Sequence, residues 1–139
     1  MARVFWDTNL FIYLLEKGTF TARTRAVRAS MLNRGDVLVT STLTIGEVLV
    51  KPTAIGARHL VESFEQLLTS SAELIPFDEE AARVFAVIRA TRQVKVPDAI
   101  QLACAARAKV HLFITNDDRL SRMVVPGIQF ITSLDHAFL

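Results

Sequence analysis

The feature that most constrains this chain is a short apolar run near its amino end, Val4-Phe5-Trp6, which stops on a carboxylate, Asp7. It passes at once into helical spacing at Leu10, Phe11, Tyr13, Leu14 and Leu15. A run that is apolar at successive rather than alternate positions suits a strand covered on both faces, as in parallel sheets. Asp7 then stands where the strand ends. In open sheets flanked by helices, ligands collect beyond the carboxyl ends of the strands, so the question is which other groups reach that edge.

The rest of the chain repeats the alternation. Helical spacing over 9–16 closes near Gly18, and a sparser, arginine-bearing outer helix over 21–33 closes at Gly35. A strand is expected over 36–40, a helix over 45–50 stopping at Pro52, a loop over 51–56 and a helix over 57–69. A strand over 73–77 leads to a helix reaching about Arg92, with Asp78 as N-cap and Glu79 and Glu80 in the first turn, where they favour the helix dipole. An alanine-rich helix over 96–106 carries Pro97 in its opening turn. A strand over 110–115, a short helix or turn over 119–123 and a last strand over 128–132 complete the pattern. Strands separated by helical crossovers predict an α/β protein of three layers, α/β/α, around a five-stranded parallel sheet; the order expected for it is 3-2-1-4-5, in which strands one and four lie side by side. The length of 139 residues, 51% of them hydrophobic, and the lack of a linker or repeat suit one domain, 1–139.

Direction of travel then sorts the acids. Asp7 and Asp117 each follow the last apolar residues of a strand. Asp98 opens a helix that runs antiparallel to the strand it feeds. About 12 helical residues rise roughly 18 Å and five strand residues return roughly 17 Å, so Asp98 comes out level with Asp117. Glu47 lies early in the helix leaving the second strand. The alternative for Glu47 is structural, since Thr44 and Glu47 have the spacing of a capping box. With strands one and four adjacent, Asp7 and Asp117 line a switch-point crevice, and we expect Asp7, Glu47, Asp98 and Asp117 to converge there. Carboxylates held close repel unless cations are present. Oxygen-only ligation suits Mg²⁺, or Mn²⁺, and such ions activate water and stabilise charge on a phosphate under attack. Thr8, Asn9, Ser41, Thr115 and Asn116 add short polar groups at the same edge, with capping and turn formation as their structural alternative.

Net charge of +2, from sixteen basic and fourteen acidic residues, does not by itself indicate a nucleic-acid partner. Arg23, Arg25, Lys51, Arg58, Arg92 and Lys95 are candidates to guide a phosphate backbone. The lone cysteine, Cys104, reads as a small core residue and His59 as a surface one. The absence of a leader or a long apolar span makes the cytoplasm the expected compartment, with no membrane partner.

At these residues the sequence resembles the PIN-domain nucleases, and within them the VapC-type toxins of toxin-antitoxin pairs. The motifs are Asp7-Thr8-Asn9, Glu47, Asp98-Ala99 opening the alanine-rich helix, and Thr115-Asn116-Asp117, in matching order and over essentially the whole chain. The resemblance implies a PIN-like fold and a Mg²⁺-dependent endoribonuclease, usually dimeric, inhibited by a small VapB-type antitoxin. It assigns Asp7, Glu47, Asp98 and Asp117 as the acidic metal site, with Asp7 and Asp98 as the leading direct ligands. The doubled Asp117-Asp118 leaves two candidates for the fourth acid, of which Thr-x-Asp favours Asp117. Leu120 departs from the aromatic residue these toxins commonly carry. Apolar Leu43, Val50 and Phe64 around the site suit a homodimer and an antitoxin groove, or alternatively complete the core. Two other functions stay open: an aspartate-nucleophile phosphatase or phosphotransferase acting through Asp7, and a non-catalytic RNA-binding relative.

Overall fold

Alternation of side chains along the central strands builds the molecule outward from its sheet. In the computed structural model, which describes residues 1–137, β1 (Arg3–Trp6), β2 (Val37–Ser41), β3 (Glu73–Ile75), β4 (Leu112–Thr115) and β5 (Phe130–Ser133) form one sheet of order β3-β2-β1-β4-β5. Residues 138–139 of the expected 1–139 domain lie outside the described residues. Every pairing is parallel, with Phe5 opposite Val39 and Phe113. Phe5, Val39 and Phe113 project to one face, where the rings of Phe5 and Phe113 stack 5.0 Å apart. Val4, Trp6, Leu38, Leu112 and Ile114 project to the other. Both faces are apolar because both are covered.

The first face carries α5 (Glu79–Thr91) and α6 (Val96–Arg107). Ala99, Ala103, Ala105 and Cys104 let α6 lie close on the sheet, and burial pushes the Cys104 thiol up to about 11, which suits its core reading. The second face carries α1 (Thr8–Leu15), α2 (Thr21–Arg34), α3 (Thr42–Ala54) and α4 (Arg58–Ser71). A last short helix, α7 (Asp118–Ser121), follows β4. Asp78 caps α5 through Ala81 N–H at 2.9 Å, as expected. Among the described residues no helix is long and apolar enough to cross a membrane.

Three local expectations need correction. Helix α3 begins at Thr42, with Ser41 as N-cap, so Thr44 lies within the helix and the capping-box reading of Thr44 and Glu47 does not hold. The Thr44 hydroxyl instead turns inward to Thr40. The helix also runs through Pro52 to Ala54, replacing the expected loop over 51–56. Proline removes one N–H near the helix end, while Ile55 N–H still reaches Lys51 O and Ala57 N–H reaches Pro52 O; burial of the ring offsets the loss. Strand β3 stops at Ile75, because Pro76 has no N–H to extend the ladder.

Candidate active site

The carboxyl edge of the sheet is where the acids emerge. Asp7 terminates β1 and caps α1, its Oδ1 accepting from Thr8 N–H at 2.9 Å while its Oδ2 accepts from the Thr115 hydroxyl at 2.9 Å. The carboxyl is 7% exposed. Burial pushes its pKa up to about 6; Thr115 and Thr8 oppose the shift, and the charges of Asp98 and Glu47 add to it. Glu47 projects from α3, half-buried, and accepts from the Thr8 hydroxyl at 2.6 Å. Asp98, in the first turn of α6, also has its pKa raised, first by burial and then by the neighbouring charge of Asp117.

Asp7, Glu47 and Asp98 line one hollow of about 240 Å³, together with Thr8, Asn9 and Gln101. At roughly 30 Å³ per water, that space takes an ion with its hydration shell. Asp117 lies beyond Asp98 in a second hollow, rimmed by Arg92, Lys95 and Arg119. It caps α7 and is ion-paired to Arg119 at 3.2 Å, whose hydrogen bond holds its pKa below the usual carboxylate range. Asp118 is exposed on α7 and lines neither hollow. Asp98 is the partition shared by the two spaces.

The supporting polar residues divide. Thr115 bridges two acids, donating to Asp7 and accepting from Asp117 N–H at 3.1 Å. Thr8 serves Glu47, and Asn9 lies exposed at the hollow. Ser41 is buried and donates to the Gln101 carbonyl oxygen instead of capping α3. Asn116 turns away and donates to the Tyr13 hydroxyl at 3.1 Å. Of the basic candidates only Arg92 and Lys95 border the acids; Arg23 is spent on backbone carbonyls of Leu134 and Ala137, and Lys51 pairs with Glu16 at 2.7 Å. Sequence reasoning missed Gln101 and Arg119. Gln101 follows Asp98 by three positions on one helix face, which was the available signal.

Among the described residues no three carboxylate, imidazole or thiolate groups stand close enough, as the side chains are oriented, to grip a metal ion. The donor set nonetheless fits a hard divalent cation: it is all oxygen, and the burial that raises Asp7 and Asp98, with a smaller addition from neighbouring carboxylates, is a cost that a bound cation offsets.

A three-layer protein with a parallel sheet of this order and carboxylates at its switch point is the class that fold and site define. The chain belongs to the PIN-domain family, whose model matches residues 4–125. Its fold is similar to that of VapBC2 from Rickettsia felis bound to a DNA fragment from its promoter, with TM-score 0.74, 14% identity and coverage of 94% of this chain and 98% of that one. A toxin-antitoxin complex from Klebsiella pneumoniae matches with TM-score 0.65 and 23% identity over 90% and 94% of the two chains. VapBC-5 from Mycobacterium tuberculosis, of the VapBC family of toxin-antitoxin systems, matches with TM-score 0.60 and 23% identity over 95% and 99%. No curated protein sequence matches.

Proposed function

We propose that this protein is a divalent-metal-dependent endoribonuclease of the VapC toxin type, cutting RNA phosphodiester bonds in the cleft formed by Asp7, Glu47, Asp98 and Asp117. The observation that carries the reading is a buried carboxylate, Asp7, facing two further carboxylates across one hollow, an arrangement that costs stability without a cation. Asp7 and Asp98 would hold Mg²⁺, or Mn²⁺, with Glu47 and Asp117 completing the acidic set. When bound, the ion supplies Lewis-acid stabilisation of a phosphate and a water made acidic enough to attack.

The chain's own residues do the rest. Thr8 N–H and the Thr115 hydroxyl fix both oxygens of Asp7, so its carboxylate plane does not turn when substrate arrives. Arg92, Lys95 and Arg119 offer cations to a phosphate backbone beside Asp98 and Asp117. A non-catalytic RNA-binding role leaves the clustered carboxylates unexplained.

Partners follow from a second surface. An apolar groove between α1, α3 and α4, about 470 Å³, is lined by Ile12, Leu15, Val48, Pro52, Ile55 and Phe64. It suits an apolar segment of a VapB-type antitoxin, while the strip of Gly46, Leu49 and Val50 on α3 suits a second copy of this chain. We take the protein to act in the cytoplasm, without a membrane partner.

The decisive measurement is cleavage of structured RNA by purified wild type and Asp7→Asn. Wild type should cut with Mg²⁺ or Mn²⁺ and stop in EDTA, and Asp7→Asn should lose at least about a hundredfold in rate. Equal cleavage by both proteins would remove the proposal.

A further inference from the structure

We propose that Gln101 is a positioning residue, which sets the direction of the Thr8 hydroxyl and through it aims Glu47 into the cleft. The inference rests on the reading of these acids as metal ligands. Gln101 is 1% exposed on α6. A carboxamide has one acceptor oxygen and two N–H donors. Its oxygen accepts from Ser41 Oγ, and its nitrogen donates to Thr8 Oγ1 at 2.8 Å and to Thr44 Oγ1 at 2.9 Å, so both protons are used.

Proton counting then fixes the hydroxyls of Thr40 and Thr44. Thr40 Oγ1 donates to the Trp6 carbonyl at 2.9 Å and has no proton left for Thr44. Thr44 must therefore donate to Thr40, at 2.8 Å, and has none left for Thr8, which stands 3.2 Å away. Thr8, already accepting from Gln101, sends its single proton to Glu47 Oε1 at 2.6 Å rather than to Thr44 at 3.2 Å, because the carboxylate is the nearer and stronger acceptor. With the carboxamide reversed, its oxygen would face Thr8 and Thr44 and compete with Glu47 for the Thr8 proton. One side chain thus ties the helix that carries Asp98 to the helix that carries Glu47.

The test is calorimetric titration with Mn²⁺ of wild type, Gln101→Met, Thr8→Val and the double variant. If Gln101 acts through Thr8, each single change weakens binding by about tenfold or more, and the double variant binds no more weakly than Thr8→Val. In a Thr8→Ser background, where the hydroxyl is kept, Gln101→Met should weaken binding again. Wild-type binding by Gln101→Met, or losses that multiply in the double variant, would overturn the proposal while leaving the metal site intact. No Mn²⁺ binding by wild type would overturn both. A measurement on the unsubstituted protein is independent of variant folding: the Gln101 side-chain amide protons should exchange slowly and show nuclear Overhauser contacts to the methyls of Thr8 and Thr44. Their absence also overturns it.

Discussion

Because Asp7 binds its proton more tightly in the folded chain than in the unfolded one, the metal-free protein should lose stability from this residue as pH rises. The contribution is fully present below the ordinary carboxyl value of 3.8 and is lost as pH passes about 6. For so buried a group the loss is on the order of 3 kcal/mol. Asp7→Asn removes the ionisation and keeps the shape. In EDTA it should therefore melt higher than wild type at pH 7, with the difference vanishing near pH 4, as followed by thermal denaturation across that range. Comparison with the variant isolates Asp7 from Asp78 and Asp117, whose lowered values work in the opposite sense. A variant less stable than wild type at pH 7 would show that the buried charge is already compensated.

At the scale of elements, the connection from α7 to β5 packs on α6 at Gly127, where φ is 99° and an added Cβ would stand 2.7 Å from the Ala106 carbonyl oxygen. Backbone must shift to admit it. Gly127→Ala should cost roughly 2 kcal/mol or more in urea unfolding, combining left-handed strain with the clash. Gly35→Ala, where φ is 72° and nothing lies within 4 Å, should cost about 1 kcal/mol. Equal costs at the two sites would mean that the Ala106 contact does not matter. The strands were legible from apolar runs such as Val4-Phe5-Trp6, whose buried character does not depend on knowing the neighbours; their order, 3-2-1-4-5 as expected, depends on which strands pair and is not written in the runs themselves. The start of α3 was not legible. Thr44 and Glu47 have capping-box spacing, but the Thr44 hydroxyl is claimed by Thr40 and Gln101, which only the folded chain brings near. Pro52 likewise reads as a stop until the groove that buries its ring exists. Gln101 looked unremarkable for the same reason: a single amide in an alanine-rich helix has no partner until β2 and α1 close over it.

For the whole molecule, exposed apolar side chains on α3 and at its C-cap are a feature in need of cover. Val50 is 65% and Ile55 74% exposed, beside a groove that is itself apolar. The solution mass should rise from monomer toward dimer over the micromolar range. Val50→Lys should keep it monomeric with little change in melting temperature, because the side chain contributes little to the core. Light scattering that gives a monomer at every concentration would count against the second copy. The cleft faces a different demand. Its floor is cross-braced by the Ser41–Gln101–Thr8 links, which join β2, α6 and α1, whereas Arg119 stands on a four-residue helix with its side chain 72% exposed. The elements that carry Asp7, Glu47 and Asp98 are therefore held to one another from beneath, while the Asp117 side is bounded by a solvent-exposed side chain.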